Sequence, residues 1–395
     1  MTTWDVGVVG AGPAGSAIAA LLARRGYRVV ILDRFHFPRR KACAEYCSPG
    51  VEDVLRRLGV WPGIASKVHR LAGMNVCIDG RPVLPIRYGE SQERLAFTMP
   101  RTELDEVLVR HAAKLGATLI EGVQVKQVDR QDGVWRIGGE RSSGGRQVWT
   151  SRILIGADGL HSTVTRLLGI YVRETWPRRI GLIAHYRGRS GPSDVGEMHV
   201  GPGCYCGLAP LPDGMLNVGL VASIKPGRRR PAPEVFVDAL RRLPVARARL
   251  QGLTMSGRLR GTGPMSRRVA PVAGPDYVLV GDAAGFLDPF TGEGIFRALR
   301  GAELAADDVD RAFATRNGVL DSDAHILARR GEFAAKERLT WLIQMALASP
   351  DAFRRLCRNL SRCPDSAGLM GNVLGDLAPA SGLLRPAHVV ATLRG

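Results

Sequence analysis

The sequence predicts an α/β fold with a central parallel sheet, a second and mostly antiparallel sheet, and a helical C-terminal region. Three features predict it: glycine-and-acid motifs that follow apolar strands, alternating apolar strands in the middle of the chain, and a helical pattern after Gly301 that prolines interrupt. The motifs are Gly10-x-Gly12-x-x-Gly15, Gly156-Ala157-Asp158-Gly159, and Gly281-Asp282 followed by Asp288 to Ile295. Their order indicates that distant parts of the chain build one binding site.

The first motif is typical of a Rossmann-like, dinucleotide-binding unit. Trp4–Val9 is short and apolar, as in a buried parallel strand, and the alanine-rich stretch Ala14–Arg25 predicts the following helix. The glycines permit a tight turn and bring the backbone close to a pyrophosphate at the helix N-terminus. A second strand over Arg28–Leu32 ends at Asp33, where an acid accepts hydrogen bonds from a ribose. An acid favours a free 2′-hydroxyl, which indicates FAD or NAD rather than NADP at this site.

The second and third motifs repeat the strand–turn pattern. Gly159 permits a backbone conformation that other residues avoid. Asp282 ends an apolar strand and is positioned to bind polyol hydroxyls. The glycines Gly292 and Gly294 let the backbone approach a flat ring, and the predicted helix Ile295–Asp307 points its N-terminus at that ring. A positive helix end there stabilises an anionic reduced flavin.

Length and composition limit the class of protein. A chain of 395 residues predicts two or three domains, and 45% hydrophobic with 23% charged residues is typical of a globular protein. No apolar run is long enough for a membrane-spanning helix, and the chain enters its first strand too soon for a signal peptide. The seven cysteines are scattered without zinc-site spacing. We therefore expect reduced thiols, no metal and a cytoplasmic location.

The net charge of +18 favours anionic partners. The sequence has no nucleic-acid-binding signature, so no nucleic acid is expected. A small-molecule substrate that is anionic or carrier-bound, or an anionic membrane surface, suits the charge, and so does an arginine-rich solvated surface. The C-terminal stretch Phe353-Arg354-Arg355-Leu356-Cys357 mixes basic and apolar residues. It is compatible with peripheral membrane contact and with packing onto the rest of the protein.

Together these motifs resemble the FAD-dependent superfamily of aromatic hydroxylases (group A flavoprotein monooxygenases), phenol halogenases and geranylgeranyl reductases. The similarity spans about residues 1–310 and includes Arg101 in Met99-Pro100-Arg101-Thr102-Glu103-Leu104-Asp105. The resemblance implies a Rossmann-like FAD-binding domain of the glutathione-reductase or p-hydroxybenzoate-hydroxylase type, an inserted and mostly antiparallel β substrate domain, and a C-terminal helical region. The implied boundaries are 1–72, 97–170 and 265–310 for the FAD-binding domain, 73–96 and 171–264 for the substrate domain, and 311–395 for the helical region.

The resemblance also implies which residues hold FAD. Arg101 is expected along the pyrophosphate or ribityl chain, because a guanidinium forks well onto phosphate oxygens. The segment from His36 to Pro49 resembles the Cys-Gly-Glu-x-x-Ser-Pro loop of the geranylgeranyl reductase branch, with Ala44 in place of the glycine. The expected FAD-binding residues are Gly10, Gly12, Pro13, Ala14, Gly15, Asp33, Arg34, Arg40, Cys43, Ala44, Arg101, Val125, Asp158, Gly159, Asp282, Pro289, Gly292, Gly294 and Ile295.

Two departures from the family patterns decide which activity we expect. The chain has no Trp-x-Trp-x-Ile-Pro, which halogenases carry, and Tyr205–Pro210 lacks the Trp and Phe of the prenyl-reductase strand. The leading expectation is therefore an FAD-dependent monooxygenase with NAD(P)H as transient reductant. Through a C4a-hydroperoxyflavin formed with O₂, it would hydroxylate an aromatic or polyketide-like secondary metabolite. The alternative is a geranylgeranyl reductase-like enzyme that reduces isoprenoid C=C bonds.

Four side chains are candidates for catalysis. Cys43 and Glu45 lie on the loop that the resemblance brings near the flavin. His185 and His199 lie on predicted strands of the substrate domain and could deprotonate a phenol near neutral pH. Each candidate has a structural alternative, namely a packed thiol, a surface carboxylate or an ordinary structural histidine, and the sequence leaves these alternatives open.

Overall fold

A computed structural model describes residues 3–89, 94–188, 193–224, 230–315, 317–386 and 388. Its strands are β1 Thr3–Val9, β2 Val29–Leu32, β3 Tyr46–Cys47, β4 His69–Leu71, β5 Gly73–Ile78, β6 Arg81–Arg87, β7 Ala96–Thr98, β8 Thr118–Ile120, β9 Val123–Gln131, β10 Val134–Arg141, β11 Arg146–Gly156, β12 Tyr171–Glu174, β13 Arg179–Arg187, β14 Val195–Gly201, β15 Cys204–Pro210, β16 Met215–Ser223, β17 Thr254–Thr262, β18 Arg267–Ala270 and β19 Tyr277–Leu279. Its helices are α1 Pro13–Arg24, α2 Pro49–Leu58, α3 Arg101–Lys114, α4 Thr163–Leu167, α5 Ala232–Arg241, α6 Pro244–Arg249, α7 Gly294–Thr315, α8 Ser322–Leu347, α9 Pro350–Arg362 and α10 Pro364–Leu374.

The first sheet has seven strands in the order β8-β2-β1-β11-β10-β9, with β19 also paired to β11. Strands β8, β2, β1, β11 and β19 are parallel, and β9–β11 form an antiparallel meander. The run from Val6 to Val9 is buried because helices cover this sheet. Val9 pairs with Leu32 and with Gly156, and Gly156 pairs with Leu279. The carboxyl ends of four strands therefore meet at one edge, where all three glycine-and-acid motifs begin.

The second sheet also has seven strands, in the order β17-β13-β16-β15-β14-β5-β6. It is antiparallel apart from the parallel pair of β14 and β5. Residues 73–87 thus join a sheet whose other strands begin about a hundred residues later. Strand β12 pairs with β18 in a separate ribbon, and the short strands β3, β7 and β4 form a third sheet.

The C-terminal helices pack against the second sheet. One apolar cluster joins Ile343 and Leu347 of α8 and Phe353 and Cys357 of α9 to residues of β5 and β6. The apolar face of the Phe353–Cys357 stretch is therefore turned inward, and only its basic face reaches solvent. The two alternatives for this stretch were membrane contact and packing onto the rest of the protein. In the structure the stretch packs onto the protein.

The predicted α/β fold class, with its parallel sheet, its second sheet and its C-terminal helices, is confirmed. The helix expected at Ile295–Asp307 begins one residue earlier and continues to Thr315. The division into domains stays a prediction. Within the described ranges, no helix combines the length and apolar character that crossing a membrane requires.

Candidate functional site

One cavity connects the carboxyl edge of the first sheet to the second sheet. It encloses about 1320 Å³ of empty space, including the part that opens to solvent. Its wall combines residues of the three motifs with the loop 41–46, with α3, and with strands β13–β16. The cavity therefore runs continuously from the glycine-and-acid motifs to the second sheet, as expected of a cofactor site that adjoins a substrate site.

The glycines of the first motif serve two purposes. Gly10 has a φ of +99°, and a Cβ there would lie 2.5 Å from the carbonyl oxygen of Ala157. A Cβ on Gly15 would lie 1.8 Å from the carbonyl oxygen of Gly10. These two glycines therefore permit packing within the protein. Gly12 faces the cavity instead, where the nearest atom to an added Cβ is an Arg39 nitrogen at 3.4 Å.

Helix α1 begins directly after Gly12, and its first residues Pro13 and Ala14 line the cavity. The N-terminal amides of a helix have no partners within the helix, and they carry a partial positive charge. The arrangement therefore offers amide donors and open space to a phosphate group.

Asp33 lies beside this turn, but it does not line the cavity. Its carboxylate accepts hydrogen bonds from the backbone amides of Ala11 at 2.7 Å and Phe35 at 2.9 Å. The side chain is 6% exposed. Asp33 therefore stabilises the glycine turn through its carboxylate. The remaining lone pairs of that carboxylate are available to a ribose hydroxyl.

Arg101, the first residue of α3, lines the cavity and is 5% exposed. Its Nε and Nη2 atoms donate to the two carboxylate oxygens of Asp105 at 2.7 and 2.9 Å. Burial by itself would lower the pKa of Arg101, but Asp105 and the neighbouring Cys43 more than offset it and hold that pKa above its usual range. Arg101 is therefore a fixed cation in the wall of the cavity.

Lys41 is a second cation of the cavity, and sequence reasoning missed it. Its Nζ would lie 3.3 Å from a Cβ on Gly159, and it has no hydrogen-bond or ion-pair partner among the described residues. Burial lowers its pKa, an effect that the nearby carboxylate of Asp282 partly opposes. A partly buried ammonium that has no partner among the described residues indicates an anionic ligand. The only signal in the sequence was the basic run at positions 39–41.

The second motif contributes a cap and a turn. The carboxylate of Asp158 accepts from Ser162 Oγ at 2.6 Å and from the amides of Thr163 and Val164 at 2.6 and 3.1 Å. Asp158 therefore binds the first amides of helix α4, whose N-cap is Ser162, and it does not line the cavity; its contact with FAD stays a prediction. Gly159 does line the cavity, with a φ of +82°.

The third motif lines the cavity through Asp282, Pro289, Gly292, Gly294 and Ile295. The carboxylate of Asp282 has no hydrogen-bond partner among the side chains and backbone groups that the structure describes. Gly292 has a φ of +71°, and a Cβ there would lie 2.8 Å from the ring of Tyr46. Helix α7 begins at Gly294 and points its N-terminus into the cavity.

Seven of the expected FAD-binding residues lie outside the cavity wall: Gly10, Gly15, Asp33 and Asp158, described above, and Arg34, Arg40 and Val125. Val125 is 6% exposed in the core between β9 and its neighbours, since its side of the strand faces inward. Arg34 and Arg40 are exposed on the loop after β2. The guanidinium of Arg34 stacks on the ring of Phe35 at 4.6 Å, and that of Arg40 approaches Gly257 of β17.

Cys43 and Ala44 line the cavity, whereas Glu45 does not. Glu45 adopts a φ of +58°, which turns its side chain away from the cavity. Its carboxylate accepts from the amide of Arg101 at 2.9 Å, from His185 Nε2 at 2.7 Å and from Asn217 Nδ2 at 3.0 Å. Glu45 is buried and His185 is partly exposed, and this pair lies behind the loop and outside the cavity wall.

His199 lies on the opposite face of the second sheet. Its neighbour Met198 lines the cavity, and alternate residues of a strand face opposite sides. His199 Nε2 is 2.7 Å from Glu197 Oε2, and Cys77 lies close by on β5. These three side chains could hold a metal ion, but Arg249 already forms an ion pair with Glu197 at 2.9 Å. We assign His199 no contact with the cavity and no metal to the cluster.

The end of the cavity under the second sheet is apolar. Its wall is formed by Leu160, Ile183, Met198, Val221, Met265 and Phe286, with the glycines Gly181, Gly207 and Gly219 between them. The hydroxyl of Tyr205 is also part of this wall, but it donates to Asp288 Oδ1 at 2.6 Å. Burial and the carboxylate of Asp288 hold the pKa of Tyr205 well above its usual range. Asp288 also pairs with Arg179 at 3.1 Å, a network that sequence reasoning did not find.

The residues that form the wall of the cavity fit FAD. A glycine turn and a helix N-terminus suit its diphosphate, two cations lie nearby, an unpartnered carboxylate suits the ribityl hydroxyls, and an apolar space remains for ring and substrate. Fold and site together define a flavin-dependent oxidoreductase.

The comparisons with known proteins agree. Residues 3–306 match the family described as "FAD binding domain", so the chain belongs to that family and is an FAD-dependent enzyme. It is 34% identical over 336 residues to a menaquinone reductase of Mycolicibacterium smegmatis, covering 81% of this chain and 78% of that protein. It is 26% identical over 345 residues to the flavin-dependent halogenase armH3 of Armillaria mellea, covering 77% of this chain and 67% of that protein.

Solved structures share the fold. A flavoprotein/dehydrogenase from Cytophaga hutchinsonii matches with a TM-score of 0.86 at 18% identity, covering 99% of this chain and 98% of that one. A variant of the halogenase PltM in complex with FAD matches with a TM-score of 0.76 at 18% identity, covering 95% and 83%.

Proposed function

We propose that this enzyme reduces a carbon–carbon double bond of an apolar, isoprenoid-bearing molecule such as a prenylated quinone. One observation carries the proposal. The substrate end of the cavity is apolar, and His185 and His199, the two side chains expected to deprotonate a phenol, both lie outside its wall. The relative named menaquinone reductase supports the same class of substrate. Bound FAD would supply a hydride, with NAD(P)H as the transient reductant.

The residues of the chain divide the remaining work. The glycine turn, the N-terminus of α1, Lys41 and Arg101 would hold the diphosphate, and Asp282 the ribityl chain. The apolar wall excludes water from the reacting carbons. The pair of Glu45 and His185 would keep the loop that carries Cys43 in place.

Alkene reduction also requires a proton, and Cys43 is the proposed donor. The hydroxyls of Tyr46 and Tyr205 are bound to Tyr88 and Asp288, so their protons are already held. The Cys43 thiol lines the cavity and donates to no acceptor among the described residues, so its proton is available for transfer.

Product mass under air and under nitrogen tests the proposal. Prenylated quinones and phenolic compounds are incubated with the holoenzyme and NADPH or NADH. A reductase adds two hydrogen atoms to the isoprenoid chain with or without O₂, and this change survives air, unlike reduction of a quinone ring. Cys43→Ala should lower turnover while FAD stays bound, and Cys363→Ala in the C-terminal region is the matched control.

Hydroxylation of an aromatic or polyketide-like metabolite is the second candidate. The similarity to halogenases, which are also flavin enzymes, favours it. A product that gains one oxygen atom, strictly dependent on O₂, would establish this candidate and refute the first.

A further inference from the structure

An exposed face beside the apolar end of the cavity has an unusual composition. On α8, Arg338, Leu342 and Met345 are spaced four and three residues apart, so they share one side of the helix. Leu342 and Met345 are 47% and 54% exposed. Exposing large apolar side chains on one face of a helix to water is unfavourable in free energy. A partner that covers the face would remove this cost.

Trp176 extends this face. It is 46% exposed and stacks on Trp341, the residue before Leu342, with ring centroids 5.7 Å apart. Arg178 is exposed two residues further along the chain. We call Trp176, Arg178, Arg338, Leu342 and Met345 the docking face.

The charge of the docking face is positive. Arg178 and Arg338 have no ion-pair partner among the described residues. The nearest carboxylate on α8, Glu337, is already paired with Arg297, so it does not neutralise them. The chain as a whole carries a net charge of +18. Exposed apolar side chains and a tryptophan insert into the headgroup region of a bilayer, and free arginines beside them bind anionic lipids.

The docking face lies next to the substrate end of the cavity. The amide of Thr175 donates to the carbonyl of Ser266 at 2.8 Å, and the preceding residue, Met265, lines the cavity. We propose that the docking face binds the surface of an anionic lipid bilayer. That bilayer would also supply the apolar substrate. The supply of substrate rests on the proposed function, whereas the binding of the docking face to the bilayer does not.

The test is flotation of the holoenzyme with vesicles of phosphatidylcholine alone or with phosphatidylglycerol as the minor component. We expect binding to the anionic vesicles, and a blue shift of tryptophan emission as Trp176 leaves water. Leu342→Asp with Met345→Asp should abolish binding, and Arg178→Gln or Arg338→Gln should each weaken it about fivefold. The matched controls are Val237→Asp on α5, where Val237 is 48% exposed, and Arg355→Gln on α9; both should bind as the wild type does.

Three results would overturn the proposal. The first is a wild type that stays out of both vesicle types, and the second is a doubly aspartate-substituted variant that still floats while its thermal unfolding matches the wild type. The third is sedimentation equilibrium showing a dimer that the same two substitutions separate, since the face would then be an interface between two copies. Turnover of a short, water-soluble prenyl compound without vesicles reports the proposed function independently. Failure of binding and failure of reduction are therefore distinguishable.

Discussion

The two glycines Gly12 and Gly15 should respond in opposite ways to the same substitution. A Cβ at Gly15 would lie 1.8 Å from the carbonyl oxygen of Gly10, a backbone atom that cannot move alone. Gly15→Ala should therefore cost about 3 kcal/mol of unfolding free energy, at the upper end for overpacking, and lower the melting temperature of a 395-residue chain by roughly 4 °C. This loss should appear in the protein without FAD.

Gly12→Ala should leave the FAD-free protein as stable as the wild type. The residue has a φ of −73°, which alanine adopts easily, and only an Arg39 nitrogen lies within contact of the new methyl group. Fewer conformations in the unfolded chain favour alanine by about 0.5 kcal/mol, but alanine is poorer than glycine at the N-cap of α1 and this offsets the gain. The methyl group would occupy the space proposed for the diphosphate, however, and loss of one charge-assisted hydrogen bond should weaken FAD binding roughly 10- to 100-fold.

Thermal unfolding with and without FAD, together with a fluorescence titration of FAD, measures both effects. Equal melting temperatures for wild type and Gly15→Ala without FAD would refute the packing role of Gly15. Unchanged FAD affinity in Gly12→Ala would refute the location of the diphosphate.

Three further predictions concern charged and buried groups. Lys41→Met should weaken FAD binding roughly 10- to 100-fold without a loss of stability. Because burial lowers the pKa of Lys41, the wild-type affinity for FAD should fall as the pH rises towards 10. FAD titrations at a series of pH values should show this fall in the wild type and not in the variant. His199→Ala should lower the unfolding free energy by about 1–3 kcal/mol through loss of its bond to Glu197, with turnover of the folded enzyme within twofold of the wild type; a large loss of turnover at full FAD occupancy would restore His199 as a catalytic candidate. Burial raises the pKa of Asp376 from 3.8 to about 6, so the stability that the protonated group contributes below pH 3.8 is lost as the pH rises through 6. Between acid and neutral pH, the unfolding free energy of Asp376→Asn in urea should therefore gain roughly 3 kcal/mol relative to that of the wild type. A difference in unfolding free energy that stays constant with pH would contradict this.

The sequence was sufficient to find the edge at which the cofactor-binding motifs meet. Parallel strands that each end in a glycine or an acid place those residues together, which is why Gly12, Gly159 and Asp282 all line one cavity. The cap of α4 was also visible in principle, because a serine directly before a helix, here Ser162, commonly accepts a hydrogen bond from an amide of the first turn.

Other features depend on contacts between distant parts of the chain. Alternation predicts that Met198 and His199 face opposite sides of β14, but it does not tell which side faces the cavity. The pairing of Glu45 with His185 spans 140 residues, and the backbone conformation of Glu45 that permits it is unusual outside glycine. The network of Asp288, Tyr205 and Arg179 likewise forms only when α8 and the second sheet are packed.

A single turnover without oxygen tests the central claim most directly. The holoenzyme is reduced chemically under nitrogen and mixed with a prenylated quinone whose ring is already in the reduced quinol form, so that only the side chain can accept hydride. We expect the absorbance of oxidised flavin to return and the isoprenoid chain to gain two hydrogen atoms. Flavin that stays reduced until O₂ is admitted, with one oxygen atom then found in an aromatic product, would contradict the proposed reduction.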